Sequence, residues 1–287
     1  MPAPAQPGAR APRPFSLETP AGATLHGTID PAAKPGPRPT VVVCHGFKGF
    51  QEWAFLPYLA ELLAARGFTA VRFNLSGSGM LPGDELVTDL DAFRRATPSR
   101  DLEELLWLVE NLGRLDPELI DGGRVGLFGH SRGGATSALA AADGNAGDRI
   151  RAVVTWAAVS TFDRAAPAEK EAWRERGVLP VLNTRTGQEL PVGVELLDDV
   201  ENSAERLDVE AAASRITAPW LIVHGAEDET VPADEGRRLA TAGSSAELLE
   251  IPAAGHTFGA VHPFAGPTPE LITALNATQT WFRRHLG

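Results

Sequence analysis

The run Thr40 to Cys44 (TVVVC) is β-branched and unbroken, set between the proline-rich Pro35 to Pro39 and the glycine of His45-Gly46, a pattern that predicts a short buried strand. From Phe55 to Arg66 the period changes: Leu59, Leu62 and Leu63 recur at helical spacing and Gly67 closes the segment, so a helix is expected there. Ala70 to Phe73 reads as the next strand. Ser99 can cap a helix to about Arg114, whose Leu102, Leu105, Leu106, Leu108, Val109 and Leu112 gather on one face. Arg124 to Phe128 is again a strand, followed at once by a helix from Arg132 to Ala142. Further strands are expected at Ala152 to Trp156, Trp220 to His224 and Glu247 to Ile251, with helices near Asp234 to Ala240 and from about Pro269 to His285.

Repeated alternation of this kind predicts an α/β fold, a mostly parallel, doubly wound sheet covered by helices on both faces. Reactive side chains in such sheets sit at the carboxyl ends of the strands. One stretch breaks the rhythm. Between the strands ending at Trp156 and starting at Trp220, residues 157–218 hold a polar helix-like piece around Glu169 to Arg176 and then Val181 to Leu190, where Arg185-Thr186-Gly187 reads as a hairpin turn. A long insertion between core strands is expected to be a lid or cap. The first fourteen residues carry five prolines and no apolar stretch of a secretory signal, so residues 1–14 are expected to be a disordered tail and residues 15–287 one domain.

Composition narrows the function. Of the 287 residues 43% are hydrophobic and 22% charged, as in an ordinary globular domain, and no apolar run reaches the ~18 residues that cross a bilayer. The net charge of −11, without a basic stripe, argues against nucleic acid or an anionic membrane as a partner. The single cysteine, Cys44, excludes an internal disulfide and a cysteine-based zinc site. The expectation is a soluble, cytoplasmic protein acting on a small molecule.

Gly129-His130-Ser131-Arg132-Gly133 is the chain's one Gly-x-Ser-x-Gly sequence, placed where a strand turns into a helix. A serine hydroxyl needs an adjacent base, ordinarily a histidine held by a carboxylate. Of the seven histidines, His45, His130 and His224 adjoin a motif glycine or the serine itself, and His26 and His285 lie at the sheet edge and in the last helix. His256, in the small-residue loop Pro252 to Gly259, is the candidate base, and His262 is its rival. Directly after the strand ending at His224 come Glu227, Asp228 and Glu229, of which Asp228 is the expected orienting carboxylate. The oxyanion of acyl transfer needs two backbone N–H donors, for which the amides of Arg132 and Phe47 are the candidates, Phe47 lying in the turn His45 to Gly49.

Together, HGFKG after a strand, GHSRGG at the turn, HGAEDETVP and AGHTF resemble the α/β-hydrolase superfamily over about Thr40 to Gly287, and within it the dienelactone-hydrolase-like and acylaminoacyl-peptidase-like serine esterases. The resemblance implies an α/β-hydrolase fold with Ser131 as nucleophile, His256 as base, Asp228 as orienter, and residues 157–218 at the position of the family's cap. It implies two-step ester hydrolysis through an acyl-enzyme, with no cofactor and no metal. Amide or peptide hydrolysis is an alternative served by the same groups, and a silent binding protein on the same scaffold is a third. Trp53, Trp173 and Leu182, with Phe47, Val178, Leu179 and Val181, are the expected apolar wall, which would favour small or medium acyl or aryl groups.

Overall fold

The computed structural model describes residues 10–146 and 148–287. Its body is one eight-stranded sheet in the order β1-β2-β4-β3-β5-β6-β9-β10. The strands are β1 Arg13–Glu18, β2 Thr24–Asp30, β3 Arg38–Cys44, β4 Thr69–Asn74, β5 Ile120–His130, β6 Ile150–Trp156, β9 Trp220–Gly225 and β10 Ala246–Ile251. From β4 to β10 every pairing is parallel, and near one edge β2 alone runs the other way, antiparallel to both β1 and β4. Val41, Val42 and Val43 on β3 are all buried because helices cover both faces of the sheet, which is why TVVVC does not alternate. Helices α1 (Leu56–Ala65) and α9 (Pro269–His285) pack on one face, and α3 (Pro98–Leu115), α4 (Arg132–Ala141), α7 (Val209–Ala213) and α8 (Ala233–Ala242) on the other.

Several boundaries differ from the sequence reading. The expected tail, residues 1–14, lies outside the described residues as far as residue 9, but Arg13 and Pro14 already belong to β1. Two contacts hold them there: Arg13 pairs with Ile29 across the edge, and its guanidinium meets Asp116 at 2.7 Å. The cap of α3 is Thr97, whose Oγ1 accepts the Arg100 N–H, while Pro98 takes the first helical turn. Strand β5 begins at Ile120, hidden in sequence by the polar, glycine-bearing Asp121 to Arg124.

The segment 157–218 divides in two. Helix α5 (Pro167–Arg176), the antiparallel hairpin β7 (Val178–Asn183) and β8 (Gln188–Gly193), and α6 (Val194–Asn202) form a cap over the carboxyl ends of the strands. After that the chain rejoins the body, with Leu207, Val209, Ala212, Ala213 and Ile216 buried in the main core. The cap has a small core of its own, where Trp173, Leu190, Val192 and Leu197 meet Phe50, Met80, Val87 and Phe93 of the body. Its second anchor is polar: the Gln188 side chain accepts the Val87 N–H at 3.1 Å and donates to the Val87 carbonyl at 3.0 Å. Val87 and Phe93 lie in a long connection after β4 that carries the short helix α2 (Leu90–Arg94), which the sequence reading did not foresee.

Candidate active site

Ser131 stands between β5 and α4 with φ +57° and ψ −122°, a conformation that side chains rarely adopt. The flanking glycines make it possible. A Cβ at Gly129 would collide with the Gly133 carbonyl and the Ser137 hydroxyl, and one at Gly133 with the carbonyls of Cys44 and His45. Strand and helix therefore approach closely and the serine projects from the apex of the turn.

Asp228 follows β9 and is buried, whereas Glu227 and Glu229 on either side are exposed. Its Oδ1 accepts the backbone N–H groups of Thr230 and Val231, both at 2.9 Å, which fixes the carboxylate plane. Oδ2 accepts the His256 Nδ1–H at 2.8 Å, and His256 Nε2 accepts the Ser131 hydroxyl at 3.1 Å. Burial alone would raise the Asp228 pKa, but the hydrogen bonds from His224, His256 and the Val231 N–H outweigh it and hold the carboxyl well below its ordinary range. It stays an anion and selects the His256 tautomer with a free Nε2 lone pair.

The other imidazoles take structural parts. His262 accepts the Ala54 N–H at 2.9 Å and donates to Glu85 at 3.1 Å, tying two loops together. His224 donates to the Val231 carbonyl at 2.8 Å behind Asp228. His130 donates to the His256 carbonyl at 3.0 Å and so holds the His256 loop; burial lowers its pKa to about 3, with the nearby His256 adding to the effect. His45 donates from Nδ1 to the Gly46 carbonyl and accepts the Leu75 N–H, and burial lowers its pKa to about 4.

The turn holding Phe47 lies against Ser131: a Cβ on Gly46 would stand 3.0 Å from both the Ser131 Cβ and the His130 carbonyl. Among the described residues, neither the Phe47 nor the Arg132 amide has a hydrogen-bond partner, so both donors are free to meet an oxyanion.

Above Ser131 the cap covers a half-open cavity of about 620 Å³. Ser131, Arg132, Phe47 and Val159 form its floor, and Trp173, Leu179, Val181 and Leu197 its apolar walls. Trp173 is 6% exposed and its indole donates to the Val192 carbonyl at 3.0 Å. Two expected wall residues lie elsewhere. Trp53 stacks on His130 at 5.5 Å, beneath the His256 loop and outside the cavity lining. Leu182 is 57% exposed, because β7 alternates and the side of Leu179 and Val181 faces the cavity. Leu196, Leu197 and Val200 of α6 line the cavity instead. Their helical spacing in Val194 to Val200 was the available signal.

Among the described residues, no group of three or more His, Cys, Asp or Glu could hold a metal ion, and no helix is long and apolar enough to cross a membrane.

Comparison with known proteins places this geometry in a lineage. An Escherichia coli protein, "Uncharacterized 31.7 kDa protein in traX-finO intergenic region", is 27% identical over 281 residues, covering 86% of this chain and 91% of its own length. The structure of Est1E from Butyrivibrio proteoclasticus with ferulic acid bound superposes with a TM-score of 0.72 at 21% identity, over 94% of this chain and 98% of that one. The acylaminoacyl peptidase of Pyrococcus horikoshii gives 0.69 at 20% identity, over 97% of this chain and 42% of that one. At such identities the two solved structures speak for the fold alone. The model of the prolyl oligopeptidase family matches residues 53–287, and the chain belongs to that family, as a hydrolase of the α/β-hydrolase superfamily.

Proposed function

We propose that the protein is a carboxylesterase-type serine hydrolase, with Ser131 as nucleophile, His256 as general base and acid, and Asp228 as the orienting carboxylate. The carrying observation is the continuous relay from the Ser131 hydroxyl through both nitrogens of His256 to a buried, ionised Asp228. Ser131 Oγ attacks the ester carbonyl as its proton passes to His256 Nε2; the amides of Phe47 and Arg132 receive the oxyanion. Collapse expels the alcohol, protonated by His256. Water, deprotonated by the same nitrogen, then frees the acid and Ser131.

The cavity supports small or medium acyl or aryl groups as substrate. Its volume of about 620 Å³ and its Trp173, Leu179 and Val181 walls suit such groups. The ferulic acid held by Est1E, a protein of the same fold, is a ligand of this size class. Peptide or amide hydrolysis is a second reading, favoured by the family to which the chain belongs. A series of nitrophenyl esters from acetyl to dodecanoyl, run beside matched acyl anilides, separates the readings. Expected is a kcat/KM that peaks at short or medium acyl length and exceeds that of every anilide; anilide turnover equal to or above the esters would overturn the ester assignment.

A further inference from the structure

On the side of the nucleophile turn away from His256, a second set of side chains links the two residues whose amides face the oxyanion. Arg132 runs inward from the turn, its side chain 12% exposed, with Nη2 2.8 Å from Asp101 Oδ2 on α3. This is a charge contact more than an aligned hydrogen bond, since neither Nε nor Nη2 has a hydrogen-bond partner. The same guanidinium lies 5.7 Å from the centre of the Phe47 ring, which also packs on Phe93 at 5.6 Å. One cation thus touches a buried carboxylate and the side chain of the residue that supplies the other amide.

Glu104, one turn along α3, is engaged elsewhere and leaves Arg132 to Asp101. It accepts the Ser76 N–H at 2.8 Å, the Ser76 hydroxyl, and the Arg100 Nε–H at 3.0 Å. Burial, with Glu104 close by, pushes the Asp101 pKa up to about 6 against the pull of Arg132 and Arg100. A buried pair that is expensive to desolvate gives little net stability, so its position beside reacting groups calls for another reason. The backbone supplies one. The Arg132 amide is fixed at the start of α4, and Phe47 is a central residue of a tight turn closed by one bond, from the Gly49 N–H to the Gly46 carbonyl at 3.0 Å, with Lys48 at φ +60°. That bond sets the form of the turn, and the Phe47 ring, though 37% exposed, ties the turn to Phe93 and Arg132 and so can set how the amide stands against Ser131; oxyanion donors act only when held in advance.

We infer that Asp101 is a positioning residue for the oxyanion site: it anchors the Arg132 guanidinium, which seats the Phe47 ring and sets the spacing of the two amides. This rests on the Ser131 mechanism proposed above.

The test is Asp101→Asn in the full chain, with activity expressed per site titrated by an active-site phosphonate. A trifluoromethyl ketone of the best acyl group places an oxyanion between the two amides, and the matching carbinol fills the same cavity without one. Expected is a kcat lower by about 10- to 100-fold with KM within about twofold, less than the ~10²–10³ lost with a whole donor. Ketone affinity should fall by the same factor while carbinol affinity holds. A kcat within about twofold of the parent, or equal weakening of ketone and carbinol, would overturn the inference. Should Asp101→Asn fail to fold, Phe47→Leu, which keeps the amide and removes the ring, carries the test through the ratio of ketone to carbinol affinity alone, since Phe47 also lines the cavity: that ratio should fall about 10- to 100-fold, and an unchanged ratio would overturn the inference. Failure of the parent chain to be labelled by the phosphonate would instead count against the Ser131 mechanism.

Discussion

The sheet's carboxyl edge and the cap above it are built on different principles. At the edge, Ser131, Asp228 and His256 each sit within a few residues of a strand end, and their positions are dictated by backbone hydrogen bonds, glycine approach and buried anions. In the cap, position comes from side-chain packing: a two-stranded hairpin and two helices share a small apolar core and reach the body through Phe50, Phe93 and the Gln188 clamp. On the proposed function, chemistry falls to the strand ends and selection to the cap. The two regions should respond differently to mutation.

The largest effect is expected at the edge. Ser131→Ala should lower ester turnover by about 10⁴- to 10⁶-fold with an unchanged circular dichroism spectrum, because only one oxygen leaves the turn. Next comes Asp228→Asn, expected to cost about 10⁴-fold through loss of tautomer control, while Glu227→Gln and Glu229→Gln, both exposed, stay near the parent. Steady-state kinetics on the four variants would blur the contrast if either glutamate mattered as much as Asp228.

How much of this was written in the sequence follows the same division. The edge was legible because its constraints are local: the strained serine turn requires glycines at 129 and 133, and Asp228 must fall just after a strand. The central strands were legible for a related reason, since burial on both faces leaves an unbroken apolar run such as TVVVC. The cap was legible only as an interruption. Leu182 and Val181 are both apolar neighbours, and which one faces the cavity depends on the register of β7 with β8, which no local signal sets. Trp53 is an aromatic residue near the oxyanion turn, and only the tertiary fold turns it onto His130. Strands β1 and β2 escaped because an edge hairpin of mixed polarity looks like loop, and Asp101 because one acid among several on an amphipathic helix looks solvated.

The edge also carries a pH dependence between neutral and mildly acid solution. His45 and His130, held neutral by burial with pKa values lowered to about 4 and about 3, take up protons near pH 6.5 only in the unfolded chain. Their contribution is whole above pH 6.5 and is lost as the pH falls toward those values. Asp101 works in the opposite sense, since its raised pKa of about 6 lets the folded protein take a proton first. Together they should lower stability by about 2 kcal/mol near pH 5.5 relative to neutral, a Tm decrease of a few degrees. A Tm that is flat or rises across this interval would contradict the assignment of neutral, buried imidazoles.

Cap substitutions should act on preference more than on rate. Trp173→Ala enlarges the cavity and should move the acyl-length optimum upward, with a several-fold gain for longer or bulkier acyl groups relative to acetyl. The smallest effect belongs to Leu182→Ser, which alters a side chain outside the cavity and should leave the acyl profile unchanged, whereas Val181→Ala on the inner side shifts it. An altered profile in Leu182→Ser would mean that the hairpin register differs in solution.

The most direct measurement is mass spectrometry of the protein after reaction with a fluorophosphonate, followed by peptide mapping. One adduct is expected, on Ser131, forming at a rate that drops steeply in His256→Ala and in Asp228→Asn. No adduct, or an adduct on another serine at an undiminished rate in the Ser131→Ala protein, would contradict the assignment of Ser131 as the nucleophile.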